Sequence, residues 1–255
     1  MKFLHGINYL DGVKKIIKNE LSSVPFIQRP GLAILINGDD IISSKYINAL
    51  ISDCNDVGIN IFPTRINSRT DPMFVYRMID DFNVMDDITS IMIQTPFPNH
   101  MRDIERDIIN MVSKKKLIDA PYWKMDLMDE RTWPGTAYGV YQMLCSYCED
   151  LSTKRVIVIG KTKNEIIPLS MILMDCGATV IACDCSIERK DIVSYCGAAD
   201  IIINMGFNND DTFWTDIIDS DQVIISSSEM FSMLTRVANL IAITYNTTGR
   251  RIIKL

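Results

Sequence analysis

Short apolar runs alternate with amphipathic stretches along almost the whole chain, and the two periods predict different elements. The run Leu32-Ala33-Ile34-Leu35-Ile36 is apolar without interruption, as a strand covered on both faces requires. Comparable runs predict strands at 59–65, 88–94, 155–159, 178–183, 200–204, 222–226 and 239–244. Between them, helical spacing of apolar positions predicts helices at 10–23, 43–56, 72–83, 100–114, 136–149, 165–176, 188–196, 210–218 and 229–237. Strands alternating with helices build parallel sheets covered by helices, so the fold class is α/β. The series from 155 onward has the rhythm of a Rossmann-like, doubly wound sheet. An irregular stretch before it divides the chain into domains of 1–134 and 135–255.

Local punctuation sharpens several of these elements. Ser43 or Ser44 can cap helix 43–56 by accepting from its unpaired first amides, and Gly58 ends it. Tyr46 and Leu50, four residues apart, share one face of that helix. Strand 88–94 runs into Gln94-Thr95-Pro96-Phe97-Pro98, where two prolines end ladder pairing and stiffen an extended loop. Thr136 is a good cap for helix 136–149.

Composition narrows the functional classes. The net charge of -6 and a pI near 5.0 argue against a nucleic-acid partner, which calls for a basic stripe. The Lys114-Lys115-Lys116 run reads as a solvated partner of a helix end. No apolar run reaches the roughly 18 residues of a membrane span, and the start lacks the apolar core of a secretory signal. Seven cysteines and two histidines suit reduced thiols in a cytoplasmic setting. Cys145-x-x-Cys148 falls on an amphipathic helix and reads as core-facing rather than metal-binding or redox-active.

The segment Pro30-Gly31-Leu32-Ala33-Ile34-Leu35-Ile36-Asn37-Gly38-Asp39-Asp40, followed by Ser43-x-x-Tyr46 and Gln94-x-Pro96-x-Pro98, is similar to the bifunctional methylenetetrahydrofolate dehydrogenase/cyclohydrolase family. Ile118-Asp119, Pro134-x-Thr136, Lys154-Arg155-Val156-Ile157-Val158-Ile159-Gly160, Gly177-Ala178-Thr179-Val180 and Ala199-Asp200-Ile201 continue the resemblance in order. The resemblance implies two α/β domains flanking a cleft, folate held by the first and a nicotinamide dinucleotide by the second. It implies that Tyr46 stacks on the folate, that Gln94 and Pro96 lie near the reacting centre, and that Asp119 pairs with the amino-pyrimidine edge. It assigns cofactor contacts to Gly160, Lys161, Thr162 and Asp184, and it implies a homodimer. Read without it, Tyr46 is a half-buried helix residue, Gln94 a strand-end cap and Asp119 a turn former.

The chain departs from the family pattern in four places. The family lysine four residues after the tyrosine, which moves protons in the hydrolytic step, is Leu50 here. Lys45 projects about 100° away round the helix and is a poor substitute. Ile166 and Ile167 replace a glycine and a basic residue in the phosphate loop, where Glu165 repels phosphate. Asp184 suits the free ribose hydroxyls of NAD better than the phosphate of NADP. After the last predicted strand only Gly249 matches the family's glycine-rich folate loop, and Leu255 falls before the usual closing helix, leaving it shortened or absent.

Two functions stand open at this point. One is an NAD-linked methylenetetrahydrofolate dehydrogenase without cyclohydrolase activity, since hydride transfer asks for positioning more than for acid-base chemistry. The other is a catalytically silent member that binds a folate, a nucleotide or a protein partner.

Overall fold

Two sheets, parallel throughout, carry the computed structural model, whose described residues are 2–3, 6–39, 41–119, 133–206, 221–226 and 228–248. By contacts the chain forms two units. One holds the described residues of 11–135 and 236–248, and the other holds those of 1–10 and 136–235.

The three-stranded unit takes most of helix α1 (Gly6–Ser22), strand β2 (Gly31–Asn37), helix α2 (Ile41–Val57), strand β3 (Asn60–Ile66), helix α3 (Pro72–Val84), strand β4 (Ser90–Ile93) and helix α4 (Glu105–Met111). Its strand order is β3-β2-β4. Side chains alternate across a strand. Ala33, Leu35, Ile91 and Ile93 pack into one core cluster with Val75 and Ile79 of α3 and Ile108 of α4. Leu32, Ile34, Ile36, Ser90 and Met92 consequently belong to the opposite face of the sheet.

Helix α2 ends as its glycine predicts. Gly58 has φ +88, and the amides of Gly58 and Ile59 bond back to the carbonyls of Asn55 and Cys54 at 3.3 and 2.9 Å. These are the two bonds of a Schellman stop, which satisfies carbonyls that the helix leaves unpaired. Helix α2 begins at Ile41, two residues ahead of the expected start, and the side chains of Ser43 and Ser44 lie outside the described residues. The predicted helix 100–114 is a 3-10 segment, Asn99–Ile104, followed by the short α4. Lys116 donates to the carbonyls of Phe82 and Met85, so it closes α3 rather than α4.

The five-stranded unit contains helix α5 (Gly135–Tyr147), strand β5 (Arg155–Gly160), helix α6 (Lys163–Asp175), strand β6 (Thr179–Asp184), helix α7 (Arg189–Ala198), strand β7 (Ile201–Asn204) and strand β8 (Val223–Ser226). Its sheet has the order β1-β8-β7-β5-β6, with β1 formed by Lys2–Phe3. This is the expected Rossmann-like sheet, with its fifth strand drawn from the start of the chain. The predicted helix 210–218 lies outside the described residues. Helix α5 starts at Gly135, so Thr136 sits inside its first turn, and its hydroxyl pairs with that of Thr235 at 2.8 Å. Cys145 and Cys148 are half-buried at the end of α5 rather than core-facing, and neither is in a disulfide.

The predicted strand 239–244 is corrected. It belongs to helix α8 (Ser228–Thr248), one continuous element of 21 residues. Val237 through Thr244 are all buried, so this stretch of the helix is covered on every side and its period is masked. Its β-branched threonines fit because their hydroxyls return to carbonyls one turn back: Thr244 to Leu240 and Thr248 to Thr244. Residues 236–248 belong to the three-stranded unit, so a helix does close on that unit from the C-terminal side. Gly249 and Arg250-Arg251 lie outside the described residues. No helix among the described residues is long and apolar enough to cross a membrane.

Candidate functional site

Helix α8 runs over the face of the three-stranded sheet that carries Ser90 and Met92. Asn246 Nδ2 donates to Ser90 Oγ at 3.0 Å, and Asn239 Nδ2 lies 3.8 Å from Met92 Sδ. Asn239, 1 % exposed, then joins two of the sequence-predicted residues. Its amide nitrogen donates to the Tyr46 hydroxyl at 2.8 Å and to Asp119 Oδ2 at 3.2 Å. The other carboxylate oxygen of Asp119 accepts from the Gly135 amide at 2.8 Å. Asp119 itself has φ 50, the left-handed region that short polar residues tolerate.

Burial dominates the electrostatics of this network. It pushes the Asp119 carboxyl above its ordinary value, against the opposing bonds from Gly135 and Asn239. The Tyr46 phenol is pushed well up by burial and then by the neighbouring Asp119 charge, with the Asn239 bond and the Arg236 charge opposing.

Gln94 extends the ladder of β4, its amide donating to the Leu35 carbonyl at 3.0 Å. By alternation its side chain shares a face with Met92 and Ser90, the face that Asn239 and Asn246 reach. It is 7 % exposed, and both its Oε1 and Nε2 lack a hydrogen-bond partner among the described residues. An unpaired buried amide is costly, about 1–3 kcal/mol for each group left unsatisfied. Such an amide calls for a partner from outside the chain. Pro96 is exposed and its carbonyl accepts from Asn37 Nδ2 at 2.7 Å, while Arg102 Nε holds the Phe97 carbonyl at 3.0 Å. The proline loop is therefore fixed from two sides.

Leu50, one turn after Tyr46, is fully buried, and Lys45 is exposed. Further along the same face, Asp53 takes Arg236 Nη1 at 2.6 Å and Lys14 Nζ at 3.0 Å. Sequence reasoning overlooked Asn239 and Arg236, both contributed by α8. The available signal was one asparagine inside the apolar run Val237-Ala238-Asn239-Leu240-Ile241, since a buried amide needs partners.

In the five-stranded unit the predicted cofactor residues occupy one end of the sheet. Gly160 and Asp184 are register partners on β5 and β6, and Lys161 and Thr162 follow Gly160 into α6. Asp184 is exposed, and hydrogen bonds from Ser186 hold its carboxyl below the usual range. The loop does not fit a dinucleotide's pyrophosphate as it stands. Glu165 Oε2 accepts from the Lys161 and Thr162 amides at 3.1 and 3.0 Å. A Cβ built on Gly160 would stand 2.7 Å from Ile166 Cγ1, so the room that the glycine leaves is already filled. Among the described residues no cluster of three or more His, Cys, Asp or Glu side chains could hold a metal ion.

Comparison with known proteins accounts for both units. Residues 4–119 match the tetrahydrofolate dehydrogenase/cyclohydrolase catalytic domain, and residues 134–228 match the NAD(P)-binding domain of the same family. The bifunctional protein FolD of Campylobacter jejuni is 30% identical over 199 residues, which cover 73% of this chain and 68% of that protein. Among solved structures, a 5,10-methylenetetrahydrofolate dehydrogenase from the silkworm Bombyx mori shares the fold with a TM-score of 0.81 at 20% identity. That likeness covers 97% of this chain and 98% of the silkworm one. The Trypanosoma brucei methylenetetrahydrofolate dehydrogenase-cyclohydrolase, solved with NADP cofactor and an inhibitor, also scores 0.81 at 16% identity, covering 97% of each chain. With both domains of one family matched in order along a single sequence, this chain belongs to the tetrahydrofolate dehydrogenase/cyclohydrolase family.

Proposed function

We propose that this chain binds a reduced folate in its three-stranded unit and does not carry out the cyclohydrolase step. The observation that carries the binding half is Gln94, a buried side-chain amide with neither end paired, on the sheet face that Asn239 reaches. A reduced pterin offers donors and acceptors for that amide. Asp119 and Tyr46 add a carboxylate and an aromatic ring, already joined through Asn239.

Hydrolysis of a methenyl intermediate needs a group that takes and returns a proton. Leu50 has none. Arg236 is tied to the Asp53 carboxylate at 2.6 Å, and a guanidinium has donors but no acceptor to offer. Lys14 is engaged by Asp53 and Asp56, whose bonds outweigh its burial and raise its pKa, so it holds its proton.

Two readings remain for the rest of the chemistry. Hydride transfer from methylenetetrahydrofolate to a nicotinamide cofactor, NAD ahead of NADP, is favoured by the match of 134–228 to an NAD(P)-binding domain and by the carboxylate of Asp184 beside Gly160. A silent folate-binding module is favoured by the occupied phosphate loop. Absorbance growth at the reduced-nicotinamide band with methylenetetrahydrofolate decides for the first, and folate binding without turnover decides for the second. Folate binding itself is tested by calorimetric titration of the full chain with tetrahydrofolate. Saturable heat that weakens at least about tenfold in Gln94→Leu supports the proposal, and absence of binding at millimolar ligand would sink it. A cytosolic homodimer goes with the family reading, and light scattering at micromolar protein checks the assembly state.

A further inference from the structure

We infer that Glu165 is a built-in anion for the phosphate loop and that, together with Ile166, it keeps a dinucleotide's pyrophosphate out of the five-stranded unit. The inference does not depend on the folate proposal, and of the two readings of the chemistry it selects the silent folate-binding module over hydride transfer to a dinucleotide.

Helix α6 is 13 residues long and begins where β5 ends, so its first amides and its dipole favour negative charge at that point. The amides of the loop that leads into it are in use. The Lys161 and Thr162 N–H groups both donate to Glu165 Oε2, at 3.1 and 3.0 Å. The geometry is the reciprocal half of a capping box, in which the third helical residue returns its carboxylate to the chain before the helix. A phosphate arriving here would have to displace that carboxylate and then lie beside its charge.

The second obstacle is volume. Glycine in a phosphate loop lets the ligand approach the backbone closely. The space next to Gly160 holds Ile166 Cγ1, 2.7 Å from the point where a Cβ would stand. Ile166 is 7 % exposed and anchored in α6, so it cannot swing into solvent as a surface side chain would. On the far side, the stem of Lys161 lies against Gly206, whose added Cβ would come within 2.5 Å of Lys161 Cγ. Charge and bulk thus act on the same few ångströms of backbone, by separate side chains.

The test is calorimetric titration of the full chain with NAD and, separately, NADP. Wild type is expected to show no saturable binding up to about 1 mM ligand, Glu165→Ala to gain binding, and Glu165→Ala/Ile166→Gly to tighten it by a further factor of about ten or more. Glu165 is half-buried and its variant keeps the core of α6, so Glu165→Ala alone carries the test where the double variant fails to melt cooperatively. Wild-type binding of either dinucleotide in the micromolar range overturns the inference. So does a folded Glu165→Ala that binds no better than wild type. Tetrahydrofolate titration of the same samples reports on the three-stranded unit separately, so failure of one proposal is not failure of the other.

Discussion

The Asn239 side-chain nitrogen lies 2.8 Å from the Tyr46 hydroxyl, which ties helix α8 to helix α2 inside the three-stranded unit. The same nitrogen supplies a donor to Asp119, so one amide serves both an aromatic and an acidic member of the site. Asn239→Ala leaves a half-buried carboxylate and a half-buried phenol with one donor fewer. We expect a loss of about 1–3 kcal/mol in unfolding free energy, the usual cost of leaving a buried polar group unpaired. Urea denaturation with an unchanged slope measures it. A loss within experimental error would mean that water replaces the amide and that the network is wetter than its burial implies.

Leu50 behaves, on this geometry, as a core residue rather than a site residue. It is fully buried, and the carboxylate further along its helix face, Asp53, already holds Lys14 and Arg236. Leu50→Met should cost less than about 1.5 kcal/mol, as volume-conserving core changes do. Leu50→Lys buries an ammonium with no free carboxylate partner there, and should cost several times more. Thermal unfolding of the two variants side by side checks this, and equal melting temperatures would show that position 50 reaches solvent.

Most of the fold was legible because strands β2, β4, β5 and β7 are buried on both faces and read as unbroken apolar runs. The same property concealed α8. A helix buried on all sides loses its period, so Val237 to Thr244 resembles a strand as much as a helix does. Asn239 and Arg236 were lost with it, since a site residue cannot be assigned before its element is. Tyr46, Gln94 and Asp119 were found because the resemblance placed them in register, whereas the pairing of Tyr46 and Asp119 through a third residue is a tertiary fact with no local signature. Glu165 was legible as a charge at a helix start. That its carboxylate folds back onto the Lys161 and Thr162 amides required coordinates.

Gln94 should separate stability from function. Replacing it by leucine removes two unpaired buried polar groups and leaves a side chain of similar size. The ligand-free protein is expected to gain stability, by up to about 1–3 kcal/mol, because the desolvation penalty disappears. Binding of tetrahydrofolate is expected to fall by at least about tenfold in the same variant. Denaturation and titration of one preparation give both signs. A variant that loses stability would mean that the amide has partners in solution and is part of the scaffold.

Asp119 gives the site a pH signature. Its folded-state pKa is raised by burial, so the folded protein holds this proton more tightly than the unfolded chain does. Stability linked to it is fully present below the ordinary carboxylate value, and it is lost as pH rises through the raised folded value. Asp119→Asn should remove that part of the pH dependence, making stability flatter from the carboxylate range upward. Binding carries the opposite sense. A ligand donor paired to the ionised carboxylate lowers its pKa again, so tetrahydrofolate uptake near the raised value should release a proton. Calorimetry in two buffers of different ionisation enthalpy reads that proton directly. Wild type is expected to release a fraction of one proton that vanishes in Asp119→Asn, and identical release by the two proteins would remove Asp119 from the ligand's contacts.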